Sequence, residues 1–313
     1  MDRETLQAIL DSNFALPEGK SLDQLTTELE ALLGSTDKFL RENSLEVLWS
    51  WAQAGHYTDV QLIDLGERMA ANLAVGLGET GTDTVFIRAF SALALAAVVI
   101  VDQRFDAGQV EGRAVFVGRE RTRSWFEHTL ACFVGECDRR GYVKGKGWAH
   151  AIAHEADVLS DFARSPHLDA EDLERILVAV ADKMIEPADD VLRFEEDNRL
   201  TQMVLDVLRR NLVSVDAVNR WLDRLAHPAD GGHWADVFGL EKNDERGNSA
   251  RLNTRAFLRS LYFQLSVGSR NFRAGYLPEA YARPIEGKED LLPAIVGALK
   301  TMDRYFFERE DGS

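Results

Sequence analysis

Two cysteines in 313 residues give this chain no disulfide framework. Cys132 and Cys137 stand five positions apart, which on a helix turns them to different sides and argues against a bridge between them. There is no C-x-x-C pair, so neither a zinc knuckle nor a thiol redox motif is encoded, and a reduced cytoplasmic setting is the expectation. Prolines number only seven, too few to interrupt many helices. Long apolar runs are missing as well. The most apolar stretch, 89–101, is broken only by Ser91 and closed by Arg88 and Asp102. At about 1.5 Å per residue it falls short of a bilayer core of roughly 30 Å, and it reads as a helix buried all round. The first residues, Met1-Asp2-Arg3-Glu4, lead into an amphipathic helix without a basic region and apolar run, so no signal peptide is expected.

Positive charge is also scarce. Acidic residues outnumber basic ones 52 to 36, for a formal net charge of −16. Such a surface repels phosphate backbones on average, which argues against nucleic acid as a partner and against a helical-repeat DNA glycosylase. The small cluster of Arg119, Arg121 and Arg123 alternates with Glu120 and reads as a solvated helix face. Hydrophobic residues make up 45% of the chain and charged ones 28%, the composition of a folded, water-facing protein with material for a core.

Helical periodicity is present almost throughout, and strand alternation almost nowhere. Ser21-Leu22-Asp23-Gln24 has the form of a capping box, followed by Leu22, Leu25, Leu29, Leu32 and Leu33 on one face and Gly34 as a stop. Helices are expected at 37–54 with Gly55 as its end, at 58–77 with Thr58 as its cap and at 83–101, then near 119–136, 147–164, 170–185, 196–211, 215–225, 250–266 and 288–307, with Asp169 and Ser214 as further caps. Phe90, Leu93, Leu95 and Val98 are the expected inaccessible centre. Ser35-Thr36-Asp37 leading to Arg41, Leu45 and Leu48 resembles Gly81-Thr82-Asp83 leading to Arg88, Leu93 and Leu95, at an offset of about 46 residues, the length of HEAT or armadillo units. The expected fold is therefore all-α, a HEAT/armadillo-like solenoid of antiparallel helix pairs forming one domain over 1–313, with irregular helical bundling as the alternative. Loops are expected at 103–117 and at 227–250. The second carries His227, Asp230, His233 and Trp234, either as part of a lid or as plain surface.

One segment carries the chemistry. Placed on a helix with His150 at zero, His154 falls at about 40°, Asp157 at about −20° and Asp161 at about 20°, while Trp148, Ile152 and Leu159 fall opposite, at about 160–200°, and are expected to face the core. Ala149, Ala153 and Ser160 flank the polar stripe and would admit a close neighbour. Histidines four apart with a carboxylate one turn on can hold a divalent metal ion, so His150, His154 and Asp157 are the candidate ligands; a solvated polar face is the bland alternative. The zincin motif His-Glu-x-x-His is absent. Upstream, Glu136 or Asp138 offers a general base and Arg140 an anion clamp, or Arg140 simply pairs with Asp138 or Asp157 and fixes the loop. Gly141, Gly145 and Gly147 allow the chain to turn but match no phosphate loop.

Glu136-x-Asp138-x-Arg140-Gly141-Tyr142 followed by Gly147-Trp148-Ala149-His150-x-x-Ala153-His154-x-Ala156-Asp157 resembles the signature of a bacterial family, the Domain of Unknown Function 2785 family. Gly34-Ser35-x-Asp37-x-x-x-Arg41, Val85-Phe86-x-Arg88-x-Phe90-Ser91-x-Leu93 and Leu258-Arg259-Ser260-Leu261-Tyr262-Phe263-x-Leu265 agree with it. Glu155 departs from the pattern, where a small residue is expected. The resemblance implies an all-helical fold and no particular activity. Two functions are compatible with these residues. In the first, a helical-repeat protein binds a small polar ligand or a peptide in a concave cleft lined by Glu136, Asp138, Arg140, Trp148, His150, His154 and Asp157. In the second, a metal-dependent hydrolase uses the same residues, with His150, His154 and Asp157 on the metal.

Overall fold

The computed structural model describes residues 1–110, 113–228, 234, 244–268, 272–302 and 307. Among them the chain is all-α, with thirteen helices and one two-stranded hairpin, and it divides into two compact units, Met1–His167 and Leu168–Ser313.

The first unit holds α1 (Arg3–Asp11), α2 (Leu22–Glu30), α3 (Lys38–Ala54), α4 (Asp59–Asn72), α5 (Thr84–Asp106), α6 (Gly118–Gly135), β1 (Tyr142–Val143), β2 (Gly147–Trp148) and α7 (Ala151–Ala163). Helix starts follow local capping chemistry: Ser21 and Thr58 form capping boxes with Gln24 and Gln61, and Asp37 accepts the backbone N–H groups of Phe39 and Leu40. Gly55, in the left-handed region at φ 77°, closes α3. α5 is the hub and packs on α3, α4 and α7; α6 packs on α4 and α7. Phe90, Leu95 and Val98 are buried, as expected, but Leu93 is only half-buried.

α5 runs on to Asp106, so the loop after it begins later than the expected 103. The helix is thereby extended at its C-terminal end by the mostly polar residues 102–106. By length and composition this helix could cross a membrane, but 83% of its most apolar window is buried inside the protein, as in the core helix of a globular domain.

The second unit holds α8 (Ala170–Ile185), α9 (Glu196–Arg209), α10 (Val215–Ala226), α11 (Glu245–Val267), α12 (Pro278–Ala282) and α13 (Lys288–Met302). α11 packs on α8, α9 and α13, and α10 on α8 and α13. Asp169 and Ser214 cap α8 and α10, as their sequence positions suggest. In the expected 227–250 loop, the Trp234 indole is buried and donates to the carbonyl of Leu225 (2.9 Å), while His227 lies against the Asp223 carboxylate (2.9 Å). Asp230 and His233 lie outside the described residues.

Candidate functional site

The chemistry-bearing segment is not one helix. A helix beginning at 147 is replaced by a tight hairpin in which Tyr142 pairs with Trp148 and Val143 with Gly147, and α7 starts only at Ala151. Gly145 and Gly147 take φ of 81° and 83°, which favours glycine. At Gly147 a Cβ would meet Lys38 Cβ at 2.8 Å and Arg41 Nη2 at 3.0 Å, so glycine is also required by space. His150 is the residue before α7, itself left-handed at φ 56° and ψ 32°. It is therefore not on the helical face drawn from the sequence, although its carbonyl accepts the N–H of His154 (3.0 Å). Trp148, expected to face the core, is 39% exposed, and Ile152 and Leu159 are buried as expected.

Two buried arginines hold segment 136–148, Arg41 at the hairpin and Arg88 at Glu136. Arg41, fully buried, donates to the carbonyls of Ser35 (2.6 Å), Lys146 (2.6 Å) and Trp148 (3.1 Å), and lies over the rings of Phe86 and Phe90 at 4.1 and 4.8 Å. Burial lowers its pKa, against the opposing charges of Glu42 and Asp37. Arg88 makes a two-pronged ion pair with Glu136 (2.7 and 3.0 Å), both side chains without solvent contact, and also donates to the carbonyls of Val75 and Gly76. Burial alone would push the Arg88 pKa down; the hydrogen bonds to Glu136 and the charges of Glu136 and Glu155 outweigh it and hold it above the ordinary arginine value.

The three upstream charges are thus absorbed in positioning. Glu136 also accepts the N–H of Asp138 (2.8 Å). Asp138, 2% exposed, accepts the N–H of Gly81 (3.0 Å) and pairs with Arg140 (2.6 Å), which in turn donates to the Thr82 carbonyl (2.5 Å). Arg140's pKa is raised by that pair. Segment 136–148 is in this way tied to the starts of both α3 and α5.

Above these ties runs a series of rings. Tyr142, 45% exposed, meets Trp148 edge-on at 5.2 Å. Trp148 stacks on His150 at 5.1 Å and 28°. His150 meets His154 at 5.4 Å, and His154 meets Phe90 at 5.4 Å. The series leads from solvent to the core, since His150 and His154 are buried to about nine-tenths. Asp157 is buried on α7, 2% exposed. The two imidazoles come together, but among the described residues no three His, Cys, Asp or Glu side chains gather as a metal site requires. The metal set His150, His154 and Asp157 is not assembled, because its first member precedes the helix that was to align it with the other two.

Sequence reasoning missed the roles of Glu155 and Cys132. Glu155 is fully buried, and the Cys132 thiol, on α6, donates to it (3.1 Å). Burial pushes the Cys132 pKa well up, and the Glu155 charge adds to this. The acid that departs from the family pattern is a second countercharge near Arg88. Tyr142 was also left out of the candidate ligand set, although Tyr-x-x-Gly-x-Gly-Trp is a readable hairpin pattern.

A family model described as Protein of unknown function (DUF2785) matches residues 73–263, which include the hairpin and all of α7. No curated protein and no solved structure matches the chain.

Proposed function

We propose that this chain, which belongs to the family of proteins of unknown function DUF2785, is a helical-repeat binding protein that takes a small polar ligand or a peptide segment on the ring series Tyr142–Trp148–His150–His154. The observation that carries this is the exposure of Tyr142 and Trp148 at the outer end of the series, with Trp148 stacked on His150 and His150 edge-on to His154. Large aromatics held rigidly at the surface supply contact area at low entropic cost, and imidazoles beside them supply hydrogen-bonding atoms. Glu136, Asp138 and Arg140 act here by positioning the hairpin, and Asp157 lies deeper, on the helix behind it. The helical-repeat part of the reading is supported by the neighbour pattern in the first unit, where α3 meets α5 and α5 meets α7 while α4 meets α6, as two layers of stacked pairs would give. A cytoplasmic protein of one repeat domain without nucleic-acid or membrane partners is the setting we propose for it, consistent with the net charge of −16.

Ligand-observed NMR with a library of small polar heteroaromatics and short peptides tests the site. Hits on the wild type that are lost in Trp148→Ala support it. Hits that persist in that variant, or a library without hits, remove it.

A further inference from the structure

The second unit holds a cavity of about 610 Å³ where the end of α9, the start of α10 and the start of α13 meet. That volume lies in the range of small-molecule sites, roughly 300–1,000 Å³. Its inner wall is apolar. Leu208, Val218 and Leu291, each less than one-tenth exposed, line it, and Val213 and the 66% exposed Val215 continue the apolar surface outward. Its other lining is acidic. Glu286 and Asp290, four positions apart at the start of α13, are both exposed, and neither has an ion-pair partner among the described residues. No lysine or arginine belongs to the wall. Lys288, which stands between the two acids in sequence, donates to the Ser266 carbonyl (3.3 Å). The positive end of α13 amounts to about half a charge, so the acidic side stays net negative. That side is also held in place. Asn211, left-handed at φ 52° just past the end of α9, donates to the Pro284 carbonyl (3.0 Å) and accepts the N–H of Glu286 (3.0 Å). The segment leading into α13 is thereby tied to the end of α9.

We propose that this cavity binds a small aliphatic primary amine in its ammonium form, with the charged head at Glu286 and Asp290 and the alkyl chain along Leu208, Val218 and Leu291. A cation with one apolar tail meets both halves of the wall at once. A bare divalent metal ion fits less well, because it takes about six oxygen ligands and would leave the apolar wall uncovered. A diamine would press its second charge against that same wall.

The test follows the ¹³C methyl signals of Val215, assigned by their absence in Val215→Ile, during separate titrations with hexylammonium, hexanol and hexanoate. Hexylammonium should move them saturably. Hexanol should bind about tenfold more weakly, and hexanoate should not bind. The double variant Glu286→Gln/Asp290→Asn changes two exposed side chains. It should weaken hexylammonium about tenfold, the combined effect of two surface charge contacts, and leave hexanol unchanged. No saturable shift with hexylammonium, equal affinity for hexanol or hexanoate, or unchanged hexylammonium affinity in the double variant would each overturn the assignment. If the double variant does not fold, the comparison of the three ligands on the wild type decides alone.

Discussion

Helices α5 and α7 pack against each other, and both lie inside the first unit, yet they are built from opposite materials. From Ala89 to Val101, α5 is apolar apart from Ser91. α7 is buried along its whole length and still carries His154, Glu155, Asp157, Ser160 and Asp161. An apolar helix is placed by volume: many weak contacts, each tolerant of small shifts. A polar helix at the same depth is placed by partners, because every buried polar atom left without one costs free energy. Its surroundings answer to that demand. Arg88 on α5 and Cys132 on α6 face Glu155, and Arg164 pairs with Asp161. α5 therefore supplies stability, while the polar groups around α7 fix one arrangement, including the position of the hairpin beside it.

This contrast can be broken by substitution. The largest effect should come from Glu136→Ala, which strands the Arg88 guanidinium in a site with no solvent contact. A loss of about 3–5 kcal/mol in urea denaturation is expected. A loss below about 1 kcal/mol would show that the ionic layer is incidental. Leu95→Ala on α5 deletes a fully buried side chain and should cost about 2–5 kcal/mol by the same measurement. Leu93→Ala should cost clearly less, since Leu93 is half-buried. Equal costs at 93 and 95 would mean that α5 is not placed by volume as argued.

The same contrast explains what could be read from sequence. α5 was legible because an apolar run closed by Arg88 and Asp102 has one physical solution, burial, although its extension to Asp106 was not visible. The caps at Ser21, Thr58, Asp169 and Ser214 were legible because they act within a few residues. α7 was half legible. A helical wheel sorts residues into a wet face and a dry face, and it has nothing to sort when every face is dry. Its start was misplaced because two-residue strands give no alternation to detect, and because His150 takes a left-handed conformation that sequence does not announce. Glu155 resembled a surplus charge because its neighbours Arg88 and Cys132 come from other helices.

A smaller effect should separate the hairpin from the helices beneath it. Gly147→Ala forces a side chain onto a backbone at φ 83° and against Lys38 and Arg41. The cost should be about 1–3 kcal/mol. The Trp148–His150 stack should loosen at the same time, read as a change in the Trp148 indole NMR signal. A normal indole signal at full stability would show that the hairpin is not held by Arg41.

The smallest effect concerns the far end of α5, where polar burial returns. Asp102 is 8% exposed, and one of its oxygens accepts the N–H groups of Phe116 (2.7 Å) and Val117 (3.0 Å), just before α6. Burial pushes its pKa above the ordinary 3.8 and exceeds the opposite pull of those two hydrogen bonds and of His167. The folded state thus holds this proton more tightly than the unfolded chain does. The stability that Asp102 contributes is therefore fully present below the unfolded value and is lost as pH rises through the raised folded value. Asp102→Asn keeps an acceptor oxygen for both N–H groups and removes the charge. Its stability relative to wild type should accordingly increase as pH rises through that window, followed by urea denaturation of both proteins between about pH 3 and pH 7. Taking the difference cancels the other carboxylates, whose titration is common to both chains. A flat difference would mean that the two N–H groups compensate the buried charge in full, and that the polar end of α5 obeys the rule found around α7 rather than departing from it.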